Sequence, residues 1–214
     1  AAYLKPFREG KREKALPAAK LLMGSIVSNG ATHLLTGENQ TALTQGYYSD
    51  YTKFSDSEAE AIRRYYDYMI RYENLFFDPE LQDVTMTHTG WDNYEYQCTN
   101  HKVSSYGEAG KIWMILREKD YRKCIYLLNL CGQSEDYWNE GKEEPNIQKD
   151  IKFTVQVDTP VEKICFSTPD GENMDAIELS FTERATKTGK FIDFTVPSLN
   201  YWTTIWIDTR KETI

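Results

Sequence analysis

No stretch of this sequence comes near the ~20 consecutive apolar residues that a membrane helix needs, so no span is expected. Basic residues are in deficit. Lys and Arg number 25 against 33 Asp and Glu, and the net charge of -8 argues against a nucleic-acid surface, which needs a clustered basic face. Histidine is scarce, and Cys98, Cys124, Cys131 and Cys165 stand far apart without a CxxC pair, so neither a metal centre nor a cofactor is expected. The cysteines read as small buried hydrophobes, with one or two disulfides left open. Phosphate loops, dinucleotide fingerprints, nucleophile elbows and HExxH helices are absent from the sequence. The chain opens Ala-Ala-Tyr with neither initiator Met nor signal peptide, which reads as a processed or truncated start.

Aromatic residues are plentiful instead. Fifteen Tyr and 5 Trp supply amphipathic rings, which suit sheet surfaces and carbohydrate faces alike. The first part of the chain alternates strand and helix. "AAYL" reads as a short strand and "KPFREGKREK" as a polar, basic loop. Residues 14–29 have helical spacing in Ala18, Leu21, Leu22 and Ile26, with Pro17 in the first turn and Asn29-Gly30 as a left-handed stop. Ala31 to Leu35 is apolar without alternation, as in a strand buried on both faces. After a long polar loop, Ser55 and Glu58 form a capping box for a helix whose stripe runs through Ala59, Ile62, Tyr66, Met69 and Phe76.

Two consecutive strand–helix units imply a parallel sheet, and two short strands cannot bury both faces of one. Either partner chains complete the sheet or upstream strands belong to it, and the second is the expectation. From about Val84 the pattern changes to short strands and turns: 111–118, 123–131, then "IKFTVQV", "VEKICFS", "AIELSF", "KFIDFTV" and "YWTTIWI". Period-two alternation without helices predicts an antiparallel sandwich. Trp202, Thr204 and Trp206 share one face, suited to an inner or interdomain surface.

In parallel α/β folds, ligands meet the loops at the carboxyl ends of strands. That places His33, Thr36, Glu38, Asn39, Tyr47 and Tyr48 as candidate binding groups, because sugar hydroxyls need paired donors and acceptors and sugar rings stack on aromatic faces. Hydrolysis of a glycosidic bond needs two facing carboxylates. Glu38 is the one carboxylate at a strand end, and Asp50 and Asp56 read as turn and cap residues.

The stretches "SNGATHLLTGEN", "GYYSDY" and above all "RRYYDYMIRYENLFFD" resemble glycoside hydrolase family 66, the dextranases and cycloisomaltooligosaccharide glucanotransferases. The matching residues are Gly30 and His33, Gly37 and Glu38, Tyr47 and Tyr48, and Tyr65 through Leu75. The likeness is good over residues 1–80 and looser beyond. "YYSDY" lacks the family's proline, and "LKPF" replaces a Met-Asn pair after "AAY". The resemblance implies an α/β part followed by an all-β part: the last two βα units of a (β/α)₈ barrel over residues 1–82, then an antiparallel β-sandwich over 83–214. It implies a catalytic nucleophile and an acid/base upstream of Ala1, hence no catalytic residue here and substrate contacts from His33, Glu38, Asn39, Tyr47 and Tyr48. The implied partners are an α-1,6-glucan or isomaltooligosaccharide and the missing N-terminal part of the barrel, in a secreted or periplasmic bacterial enzyme. A non-catalytic carbohydrate-binding or interaction module is the alternative.

Overall fold

The computed structural model describes residues 5–8, 11–43, 51–90 and 92–210. The expected "AAYL" strand, the tyrosines Tyr47 and Tyr48, and Asp50 lie outside them. Helices α1 (Lys5–Arg8) and α2 (Arg12–Ser28) come first, followed by strands β1 (Thr36–Gly37), β2 (Thr41–Leu43) and β3 (Tyr51–Lys53). Helices α3 (Asp56–Arg71) and α4 (Glu73–Phe76) complete this part. Then come β4 (Gln82–Asp83), the short α5 (Thr85–His88), β5 (Tyr96–Cys98), β6 (Val103–Ser104), β7 (Ile112–Lys119) and β8 (Arg122–Asn129). The chain continues through β9 (Gln148–Val157), β10 (Val161–Ser167), β11 (Ile177–Leu179), β12 (Phe181–Thr186), β13 (Gly189–Leu199) and β14 (Trp202–Thr209).

Several expectations for the first part are corrected. Lys5–Arg8 is a helical turn rather than a loop, because Phe7 is a core residue and meets Phe54 edge-on with ring centroids 5.2 Å apart. Pro17 lies inside α2, which begins at Arg12. Ala31 to Leu35 is not a strand buried on both faces. His33 and Leu35 point inward while Leu34 is 60% exposed, so the segment is one-sided, and β1–β2–β3 continue it as a small antiparallel sheet. Among the described residues the parallel pairing is β6 beside β7.

Both long helices end as local chemistry dictates. Gly30 adopts φ +80°, and the Ala31 N–H reaches Ile26 O (3.1 Å) while the Gly30 N–H reaches Val27 O (2.8 Å), the doubled closure of a Schellman stop. At α3 the Ser55 hydroxyl accepts from the Glu58 N–H (3.3 Å), and the Glu58 carboxylate accepts from the Ser55 N–H (2.8 Å).

The rest of the chain is two facing sheets. One runs β11-β10-β14-β8-β7-β4, with β6 beside β7, and the other runs β12-β13-β9-β5. Alternation fills both faces of the larger sheet. Ile125, Leu127, Ile205 and Ile207 meet Phe153, Val155, Ile192, Phe194 and Val196 of the smaller sheet. Cys124, Tyr126, Leu128, Trp202 and Trp206 face the opposite way, into the cluster that holds Met23, Tyr65, Tyr68 and Phe76 of the helices. β14 is consequently buried at all eight positions. The larger sheet is thus the middle of three layers.

Close approach and hydrogen bonding fasten the helical layer to that sheet. A Cβ at Gly24 would stand 2.7 Å from Leu128 Cδ2 and 3.1 Å from Trp202 Cγ, so α2 reaches the sheet only because that residue has no side chain. Three tyrosines of one helical stripe donate to a single segment: Tyr65 to Asp170 (2.7 Å), Tyr68 to Ser167 O (3.0 Å) and Tyr72 to Met174 O (2.6 Å). Arg117, a buried cation on β7, donates to Phe76 O (2.5 Å), the last residue of α4, and to Leu81 O (3.2 Å) just before β4.

Candidate functional site

The β1–β2 hairpin is the part of the fold built to present polar groups. Its tip is Glu38-Asn39-Gln40, with φ +54° at Asn39 and +62° at Gln40. Asn tolerates the left-handed region because its short amide bonds locally, whereas Gln40 is held there at a cost of about 1–3 kcal/mol. Its surroundings hold it in place: the Phe54 N–H donates to Gln40 O (2.9 Å), and Gln40 Nε2 donates to Asp56 Oδ1 (3.1 Å). The Thr41 hydroxyl donates to Glu38 O (2.5 Å) across the turn.

The approach to the hairpin is tied down by Tyr66 of α3. Its hydroxyl donates to His33 O (2.9 Å) and accepts from the Leu35 N–H (3.0 Å). The Leu43 N–H then closes on Leu35 O (2.8 Å). Arg12 ties the far side, donating to Lys53 O (2.9 Å) and pairing with Glu58. Between the hairpin and α3 lies a groove of about 490 Å³, floored by Phe54 and Ile62 and rimmed by Gln40, Asp56, Glu60 and Arg63.

Of the six sequence-derived candidate binding groups, Thr36 lines this groove. Glu38 and Asn39 stand together at the exposed tip, and the His33 ring is only 3% exposed. Tyr47 and Tyr48 lie outside the described residues. Sequence reasoning missed Gln40, Glu60, Arg63 and Tyr66. Tyr66 did appear in the apolar stripe of α3, but nothing in the sequence announces that its hydroxyl grips the strand opposite. Asp56, expected as a turn or cap residue, is instead the first residue of α3 after the Ser55 cap, and its carboxylate accepts from Gln40.

The groove offers groups suited to binding. An amide, two carboxylates and a guanidinium surround an apolar floor, a set that matches a hydroxylated ring. Hydrogen bonding from Arg63 holds the Glu60 carboxyl below the usual carboxylate range, so it stays ionised and makes a poor proton donor.

A sequence profile of glycosyl hydrolase family 66 matches residues 1–206. The chain belongs to this family. The family suggested by "SNGATHLLTGEN" and the tyrosine-rich helix is therefore the right one. Two cycloisomaltooligosaccharide glucanotransferases of Niallia circulans are 28% and 27% identical to this family 66 chain, over 89% and 88% of it. The chain spans only 19% of the length of each. A cycloisomaltooligosaccharide glucanotransferase of Paenibacillus sp., solved with cycloisomaltoheptaose, superimposes on 88% of this chain and 27% of its own, with a TM-score of 0.78 and 23% identity. That likeness establishes the fold of the matched stretch.

Proposed function

We propose that this chain is part of a family 66 enzyme acting on α-1,6-glucan and supplies one wall of the sugar cleft together with a supporting β part. The observation that carries the reading is the family match over residues 1–206, joined to relatives named for cycloisomaltooligosaccharide transfer. In this reading residues 1–82 are the last two βα units of a (β/α)₈ barrel and residues 83–214 are an antiparallel β-sandwich. The remaining barrel strands, with the nucleophilic and acid/base carboxylates, belong to other segments of the polypeptide. The chain's coverage of 19% of those relatives supports that division. In this reading the enzyme is secreted or periplasmic and bacterial.

Glu38 and Asn39 at the hairpin tip, with Tyr47 and Tyr48, are assigned to binding glucosyl units rather than to the chemical step, and His33, buried beneath the hairpin approach, is not among the groups that touch sugar. The retaining reaction itself needs two carboxyl groups ~5 Å apart, and these are assigned outside this chain. The test is kinetic. In the complete polypeptide, Glu38→Gln with Asn39→Ala raises KM for dextran and leaves kcat within about tenfold, the pattern of lost ground-state binding. A fall in kcat of about 10²–10⁴, the size of an acid–base contribution, would make Glu38 catalytic and overturn the assignment.

A further inference from the structure

The segment between β8 and β9, residues 130–147, forms neither helix nor strand. Connections of that length inside a compact fold are uncommon and usually functional. This one is far from slack. The Lys142 ammonium is buried within it, donating to Glu135 Oε1 (2.7 Å), Tyr137 O (2.5 Å) and Glu140 O (3.3 Å). The Tyr137 N–H donates to Glu135 Oε2 (2.6 Å). Gln133 and Glu143 exchange two further bonds across the base, Nε2 to O at 2.7 Å and N to Oε1 at 3.0 Å. Gly141 lies against α2 so closely that a Cβ there would meet Lys14 Cβ at 2.7 Å.

This framework holds two large rings outward. Tyr137 is 67% exposed and Trp138 is 53% exposed, and Tyr106, on the loop before β7, is 59% exposed. Trp138 also borders a small cavity of about 70 Å³, together with Trp113, Asp136 and Lys142. The Trp113 indole N–H is buried and has no acceptor among the described residues. Aromatic rings on a loop fixed by a buried ammonium, beside a carboxylate and an unanswered N–H donor, form a surface with little ordering left to do on binding. Apolar ring faces with hydrogen-bonding groups at the edge are what a pyranose presents in return.

We infer that the 130–147 loop is a second glucan site, separate from the β1–β2 hairpin, in which a glucosyl ring of an α-1,6-glucan stacks on Trp138 with Tyr137 beside it and hydroxyl contacts to Asp136. The choice of sugar rests on the family 66 reading above. The site's role is to hold the polymer, so it acts on long chains and leaves turnover of short ones alone.

Affinity electrophoresis through dextran-containing gels tests this, with the 214-residue chain and with the complete polypeptide. Trp138→Ala weakens retention about fivefold or more, the loss of one stacking contact, and Trp138→Phe restores much of it. Trp138 is half exposed, so its replacement leaves the fold intact, and circular dichroism checks this. In the complete polypeptide, turnover of isomaltotriose by Trp138→Ala equals that of the wild type. Dextran retention indifferent to Trp138→Ala but reduced by Glu38→Gln with Asn39→Ala would sink this inference and spare the hairpin assignment. Absence of retention in every form would sink it too, while isomaltotriose turnover judges the family reading by itself. Loss of acrylamide quenching at Trp138 in the complete polypeptide would show the ring covered by protein, which also overturns the site.

Discussion

Replacing Asp170 by Ala is expected to loosen the junction between the helical layer and the central sheet. The carboxylate is almost fully buried, and it accepts from the Tyr65 hydroxyl (2.7 Å), the Tyr201 N–H (3.1 Å) and the Trp202 N–H (3.0 Å). Lys20 Nζ of α2 stands 3.9 Å away and lies over the Tyr201 ring. Alanine leaves three donors without an acceptor in a site water does not reach. Each such orphan costs about 1–3 kcal/mol, and breaking a buried charged network typically costs about 3–5 kcal/mol in all. Against a total stability of about 5–15 kcal/mol, that is a large fraction. Asn keeps one oxygen for the two backbone N–H groups and turns its amide toward the Tyr65 hydroxyl, so Asp170→Asn is expected to cost only about 1 kcal/mol. Burial pushes the Asp170 carboxyl above its ordinary value of 3.8, against the pull of Lys20, Tyr65 and the two backbone donors. The native state therefore holds this proton where the unfolded chain has released it. The resulting stabilisation is complete below about pH 3.8 and is lost as pH rises through the folded value, a slope that Asp170→Asn removes. Urea unfolding followed by tryptophan fluorescence, from pH 4 upward, reads both effects. Equal stabilities for the Ala and Asn variants, or an unchanged pH slope in Asp170→Asn, would refute the reasoning.

Gly24→Ala brings the usual helix-propensity gain of about 1 kcal/mol, yet net destabilisation by about 1–3 kcal/mol is expected because the new methyl meets Leu128 and the Trp202 ring; a midpoint in urea at or above wild type would contradict this. Cys124 is fully buried and its thiol is pushed up to about 12 by burial, so native protein should leave it unmodified by iodoacetamide at pH 8, with reaction only on unfolding. All four cysteines are free in the structure, so four thiols should titrate in denaturant without added reductant.

Much of the fold was legible because its signals are local. The Ser55–Glu58 box and the Asn29-Gly30 stop need no tertiary information, and the structure has both where expected. The alternation in "YWTTIWI" placed Trp202 and Trp206 on one face, and that face is the one against the helices. Legibility failed where burial depends on distant partners. Ala31 to Leu35 looked doubly buried because Ala31, Leu34 and Leu35 carry no period, while the side that faces inward is set by the Tyr66 hydroxyl, which grips His33 O and the Leu35 N–H, and by the β1–β2 hairpin. Phe7 sat in a basic stretch that hid its contact with Phe54. The α3 stripe runs differently from Ala59, Ile62, Tyr66 and Met69: Ala59 and Tyr66 are only partly buried, while Tyr65 and Tyr68 are buried and use their hydroxyls on the 167–174 segment. Those tyrosines belong to the "YYDYMIRYENL" stretch that pointed to family 66, and in the structure they form the joint between the layers. At the candidate site, Glu38 and Asn39 were visible as polar groups on a loop after a strand, but the groove beside them takes much of its lining from α3 and could not be read from spacing.

In the proposed function this chain shapes a sugar cleft whose reacting carboxylates lie elsewhere. Release of reducing ends or cyclic products from dextran by the purified 214-residue chain tests it most directly. The expected result is no release above buffer, with activity present in the complete polypeptide. Sustained multiple turnovers by the 214-residue chain would contradict the claim.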